Sequence, residues 1–172
     1  MDIENFDWQP GKKNPADFSK IKSEYKRVDE LAVSPDGERL AALVQNEDDS
    51  FGICVNGELI GETTELAWYL RFLPNGKFIT LVRIDDAWTV AVDGMPWEER
   101  FEYVWNPQIA LDGDFIGVLY KRDMMYGVAI DGKPWENSYT SIRDFCISPD
   151  GKNSAATVQV AVSYTHLTLP TN

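Results

Sequence analysis

Histidine and cysteine are nearly missing from this chain, and long apolar runs are missing altogether. Of 172 residues one is His and two are Cys, and no stretch reaches the roughly 18 consecutive apolar residues that a membrane-spanning helix needs. Cys54 and Cys146 are too few for a disulfide framework and lack the spacing of a zinc or haem site, so both are expected to be reduced, buried thiols. The single histidine, His166, lies in the final segment. Residues 1–161 therefore offer no imidazole for general base catalysis, for a Ser/His or Cys/His nucleophile, or for a His-ligated metal. Basic side chains are also few. Sixteen against 28 acidic ones give a net charge of −12, and the averaged field repels phosphate backbones and anionic lipid headgroups. No nucleic-acid partner and no direct membrane insertion are expected. The first ten residues, with Asp2, Glu4 and Asp7 and no apolar run, reverse the basic-then-apolar order of a secretory signal. The expected location is the cytoplasm, with any membrane association made through partners.

What is present has the balance of a folded protein, 44% hydrophobic and 26% charged. Residues 162–172, VSYTHLTLPTN, differ in texture from everything before them and carry none of the chain's charged side chains. They read, codon by codon, like one frame through a transposon adapter used to prepare sequencing libraries. The expectation is a non-native tail on a truncated natural chain.

Self-similarity organises the rest. SPDG at Ser34–Gly37, LPNG at Leu73–Gly76, ALDG at Ala110–Gly113 and SPDG at Ser148–Gly151 place their glycines 39, 37 and 38 residues apart. A second series, VNG ending at Gly57, VDG at Gly94 and IDG at Gly132, keeps spacings of 37 and 38. Asn-Gly and Asp-Gly tolerate the positive φ angles of tight hairpin turns, so each should close a hairpin. After the first turn comes an apolar run (Leu40–Val44, Ile79–Val82, Ile116–Tyr120, Ser154–Val158), as in strands covered on both faces. Ala41, Thr80, Gly117 and Ala155 occupy one small slot in it, where a neighbouring sheet is expected to pack close. Before the second turn, alternation puts Phe51, Ile53 and Val55 on one face, then Trp88, Val90 and Val92, then Tyr126, Val128 and Ile130. Cys54, Ala91 and Ala129 fall on the other face. An outer segment follows, carrying Trp68 and Trp105.

Four short strands per unit of about 38 residues, with no 3.6-residue periodicity, make the fold class all-β. The architecture is an incomplete β-propeller of about three and a half four-stranded blades. An antiparallel sandwich is the alternative, but gives no reason for the strict period. The organisation is an N-terminal extension at 1–24, blades over 25–161, and the adapter-derived tail at 162–172. An unpaired sheet edge is expected near Val158, and the extension could supply a strand that closes a complete ring.

The S-P-D-G-x turn followed by an apolar strand, at Ser34–Leu40 and Ser148–Lys152, resembles the WD40-like repeats of TolB-type propellers. A narrower likeness lies in the opening MDIENFDWQPGKK, the [VI]-[ND]-G-x-P-W-E repeats, and the stretches Trp68–Phe72 and Val104–Pro107. These are similar to the TmcD subunits of the transmembrane redox complexes of sulphate-reducing bacteria, over nearly all of residues 1–160. The resemblance implies a cytoplasmic subunit without a redox centre of its own, associated with cytochrome and iron–sulfur subunits. It supplies no catalytic, metal or cofactor-binding residue. The chain agrees in carrying no C-x-x-C-H haem attachment and no four-cysteine set.

Chemistry-bearing residues have plain structural readings. Asp36, Asp93, Asp112, Asp131 and Asp150 each adjoin a turn glycine, and turn formation accounts for them without a metal. The pairs Asp48-Asp49, Asp85-Asp86 and Glu98-Glu99 are solvated loop charge rather than catalytic dyads, since adjacent residues diverge. Trp68, Trp97, Trp105 and Trp135 recur in phase, as packing residues do. Trp8, in the extension, is the candidate for a partner contact. Two functions follow. One is a non-catalytic interaction scaffold, with no cofactor, in a membrane-associated electron transfer complex. The other is an enzyme or small-ligand binder whose axial site further blades would complete, with Arg71 and Gln108 in the slot shared by Ala32 and Cys146.

Overall fold

The computed structural model of the chain describes residues 16–159, and the backbone of Val160 and of residues 163–170. Among them are one helix and four antiparallel meander sheets. The first sheet runs β1 (Arg27–Val33), β2 (Leu40–Gln45), β3 (Phe51–Val55) and β4 (Glu58–Thr64). The second holds β5 (Leu66–Phe72), β6 (Phe78–Ile84), β7 (Ala87–Val92) and β8 (Met95–Pro96). The third holds β9 (Tyr103–Ile109), β10 (Ile116–Arg122), β11 (Met125–Ile130) and β12 (Lys133–Pro134). The fourth holds β13 (Ser141–Ile147), β14 (Asn153–Val160) and β15 (Ser163–Pro170). This is the blade series of an incomplete β-propeller.

The turn chemistry explains why the strands begin and end where they do. Asn56-Gly57, Asp93-Gly94 and Asp131-Gly132 all have positive φ at both residues, the mirror-image turn that matches strand twist. The residue before each glycine does a second job. The side-chain oxygens of Asn56, Asp93 and Asp131 accept from the amides of Leu40, Phe78 and Ile116 at 2.8, 3.0 and 2.8 Å, pinning the start of the neighbouring strand. In the SPDG turns, Ser34 Oγ donates to Asp36 and accepts from Arg39 N, and Ser148 Oγ donates to Asp150 and accepts from Asn153 N. These bonds hold both carboxyls below the ordinary carboxylate range, the serine hydroxyl first and the amides of Glu38 and Lys152 second.

The repeat changes length in two places, both on the half of the blade between its first and second turns. Gly57 to Gly76, Gly94 to Gly113 and Gly132 to Gly151 each span 19 positions, whereas Gly37 to Gly57, Gly76 to Gly94 and Gly113 to Gly132 span 20, 18 and 19. The first blade gains its residue where its second and third strands meet, at residues 46–50 against 85–86 and 123–124, and the second blade loses one before its second strand, where Gly76 to Phe78 is two positions against three from Gly37 to Leu40 and from Gly113 to Ile116.

The chain divides into two compact units, Met1–Asp85 with Ala91–Pro96, and Asp86–Val90 with Trp97–Asn172. In the first, Ala41, Leu43, Phe51, Ile53 and Val55 pack against Leu70 and Phe78, so the bulky face of β3 meets the next blade as the alternation requires. In the second, Val128 and Ile130 meet Phe145, with Leu119, Ala156 and Val158 closing the core. At Gly117 the small slot is small for the expected reason: a Cβ there would lie 2.7 Å from Ile147 Cδ1 and 2.9 Å from Phe145 Cε2, both on β13. In the second blade the pairing places Ile79, not Thr80, at the position of Ala41, Gly117 and Ala155, because that blade is one residue shorter before its second strand.

Several expectations change. The described part of the extension is a helix, α1 (Phe18–Glu24), not a strand. Asp17 caps it by accepting from the amides of Ser19 and Lys20, and Ile21 packs on the small face of the first sheet against Ala42, Val44 and Cys54. Of the two thiols only Cys54 is buried; Cys146 is exposed, because Phe145 beside it turns into the core and alternation turns Cys146 out. Trp68 and Trp105 do not sit on outer strands. The outer segment runs straight on into the first strand of the following blade, which places them on β5 and β9. Outer strands β8 and β12 shrink to two residues; Trp97 N and Trp135 N still donate to Val90 O and Val128 O at 2.8 Å, after which the chain leaves the ladder and returns at the bridges Trp88–Phe101 and Tyr126–Tyr139. Finally, the edge near Val158 is covered: β14 pairs with β15 from Asn153↔Pro170 to Val160↔Ser163. An open edge accepts any extended segment that satisfies its ladder.

Candidate functional site

Every first strand carries an extra residue, and these bulges set the candidate site. The register slips by one between Val28 and Leu31, Trp68 and Arg71, Trp105 and Gln108, and Ile142 and Phe145. A bulge re-aims the side chains beyond it. Tyr69 and Asn106 sit in the left-handed region, with φ of 63° and 50°; Asn tolerates this conformation, whereas for Tyr it is strained.

In the first unit the strained bulge is tied down by the preceding blade. Glu30, on β1, accepts from Tyr69 N at 2.8 Å and Leu70 N at 2.9 Å, and its carboxylate meets Arg71 Nη1 at 3.2 Å. The Arg71 guanidinium also donates to Leu70 O and lies 5.1 Å from the centre of the Tyr69 ring. The positive charge of the proposed slot is thus matched by a carboxylate of the same unit. In the second unit Gln108 Nε2 donates to Asn106 Oδ1 at 3.0 Å, bracing the bulge within its own strand, while Cys146 is exposed on β13. Ala32 is half-buried on β1. Trp8 lies outside the described residues.

The acidic pairs separate as well. Asp48 accepts from the hydroxyl and amide of Ser50, which lowers its pKa, and Asp49 pairs with Lys26. Asp85 and Asp86 form a positive-φ turn. Glu99 binds Arg122 at 2.6 Å, and the Arg122 guanidinium lies 4.7 Å from the centre of Phe101, which stacks on Tyr120 at 4.4 Å. Burial pushes the Tyr120 phenol up.

Sequence reasoning missed a continuous aromatic strip in the second unit. Trp88 meets Tyr103 edge-on at 5.7 Å, Tyr103 stacks on Trp105 at 5.9 Å and 20°, and Trp105 meets Tyr126 edge-on at 6.0 Å. Tyr103 is 43% exposed and the other three are half-buried. Phase alone marked Trp105 as packing; the signal that could have exposed the strip is Tyr103 and Trp105 at i, i+2 on a strand, which puts both on one face.

No family model and no curated protein matches the chain. Among solved structures it is similar to TolB from Acinetobacter baumannii (14% identity, TM-score 0.47, 81% of this chain and 40% of that one). It is also similar to the Dos1 propeller (12%, 0.45, 76% and 42%) and to the hydrazine synthase of Kuenenia stuttgartiensis (21%, 0.39, 83% and 50%). The chain spans half or less of the length of each.

Proposed function

We propose that the chain is a non-catalytic WD40-like propeller subunit that serves as a protein-interaction scaffold in a membrane-associated electron transfer complex. The observation that carries this reading is the use of its polar side chains. Arg71 is neutralised by Glu30, Gln108 braces Asn106, and Asp93 and Asp131 hold strand amides, so the charged and amide groups of the slot and turns serve the blades. Exposed aromatic surface remains for contacts with other chains. The resemblance to TmcD subunits supports cytochrome and iron–sulfur subunits as the partners, and a cytoplasmic face as the place of assembly. Among the described residues no helix is long and apolar enough to cross a membrane. The test is affinity purification of the tagged natural protein from its host's membranes in mild detergent. Stoichiometric cytochrome and iron–sulfur polypeptides are expected in the eluate; elution of the protein alone overturns the reading.

A further inference from the structure

We infer that α1 is a latch: it fills part of the seat that a neighbouring blade takes in the later sheets, and it lifts off while the sheet beneath it stays folded.

The register of the repeat identifies the seat. Leu31 pairs with Ala42 and Val28 with Val44, as Phe145 pairs with Ala156 and Ile142 with Val158, so Ala42 and Val44 are the equivalents of Ala156 and Val158. In the fourth sheet these two share a core with Val128 and Ile130, third-strand side chains of the preceding blade. In the first sheet the same positions, with Cys54, meet Ile21 of α1 instead. A helix and a blade cannot both stand there.

The helix fills that seat only in part. Leu31 and Val33 point to the same side as their partners Ala42 and Leu40, yet they are 48% and 58% exposed. Their equivalents, Leu70 and Phe72 in the second sheet and Phe145 and Ile147 in the fourth, pack into cores shared with the preceding blade. With α1 lifted, Leu31, Val33, Ala42 and Val44 make one open apolar face of the kind that takes a blade.

The hold on the helix is slight, whereas the hold on the sheet is not. α1 has seven residues, below the length at which a helix sustains itself in water, and Ile21 alone among them is buried. Its first turn depends on Asp17, which accepts from Ser19 N at 3.0 Å and Lys20 N at 3.3 Å. The first sheet is gripped from its opposite face, where Leu43, Phe51 and Ile53 pack with Leu70 and Phe78. Opening the latch gives up one apolar side chain and leaves that core intact.

The thiol beneath the helix reports its position. Cys54 is fully buried and Cys146 is exposed, so in the full chain Cys146→Ser leaves the covered thiol as the only one. Labelling of Cys54 by an aromatic disulfide reagent is expected to be slow, yet much faster than global unfolding. Well below the urea midpoint it should hardly depend on urea, because lifting a short helix exposes little surface. Ile21→Ala should speed labelling about tenfold or more. Asp17→Ala, which removes the cap without touching the sheet, should speed it about fivefold. Both variants should keep the urea midpoint of tryptophan fluorescence. A rate no faster than global unfolding, a rate equal to that of the urea-unfolded chain, a rate that either variant leaves unchanged, or a midpoint that falls in step with faster labelling overturns the latch.

Discussion

At the scale of single residues, the aspartates show how a functional-looking pattern resolves into structure. Asp131 lies next to a turn glycine and resembles a ligand in sequence, yet its oxygen receives Ile116 N at 2.8 Å. Asn56 does the same for Leu40 at the equivalent position, so the site needs an acceptor and not a charge. Asp131→Asn should therefore leave the urea midpoint nearly unchanged, while Asp131→Ala should cost about 1 kcal/mol through the orphaned amide. Asp36 and Asp150 add a pH dependence. Their folded pKa values lie below the unfolded value of about 3.9, so the folded turns bind fewer protons. Their stabilisation is complete above that value and is lost as pH falls through the lower folded pKa. Carboxyl chemical shifts should titrate below the ordinary range, and Ser34→Ala should raise the Asp36 midpoint alone.

At the scale of elements, equivalent positions in the repeat meet different surroundings. Leu31 and Leu70 occupy the same slot, one residue before the Ala32–Arg71 position, yet Leu31 is 48% exposed and Leu70 is fully buried against the first blade. Phe145, in the same slot of the fourth sheet, is 6% exposed. Leu70→Ala should accordingly cost about 2–5 kcal/mol, and Leu31→Ala under about 1 kcal/mol, as measured by chemical denaturation of each variant. The hairpins, the two-faced third strands and the small slot at Gly117 were all legible in the sequence, because turn residues and period-two alternation are local signals. The bulges were not. A bulge keeps the apolar pattern on either side and changes only the parity between them, and its anchor, Glu30 on Tyr69 and Leu70, lies about one repeat away in sequence. The same parity change hid the true place of Trp68 and Trp105, which looked like continuations of an outer strand. The aromatic strip was hidden for a related reason: Trp88 and Tyr103 belong to different blades, and only the bridge Trp88–Phe101 brings the chain back alongside.

At the scale of the whole molecule, the constant 19-residue span from each second turn to the following first turn separates what the architecture must keep from what it can change. That span carries the chain from one blade to the next and includes the bulge, so an added residue there would turn core side chains outward. The hairpin at residues 46–50 has no such duty. It is the natural place to graft foreign sequence: a short epitope inserted between Glu47 and Asp48 should leave the urea midpoint almost where it was, since lengthening a surface loop adds only about 0.6 kcal/mol per doubling. The same epitope inserted between Thr64 and Leu66 should abolish cooperative unfolding. Display handles, fluorophores and affinity tags can thus be carried on the hairpin tips of such repeats, while the crossings between blades must be left as they are.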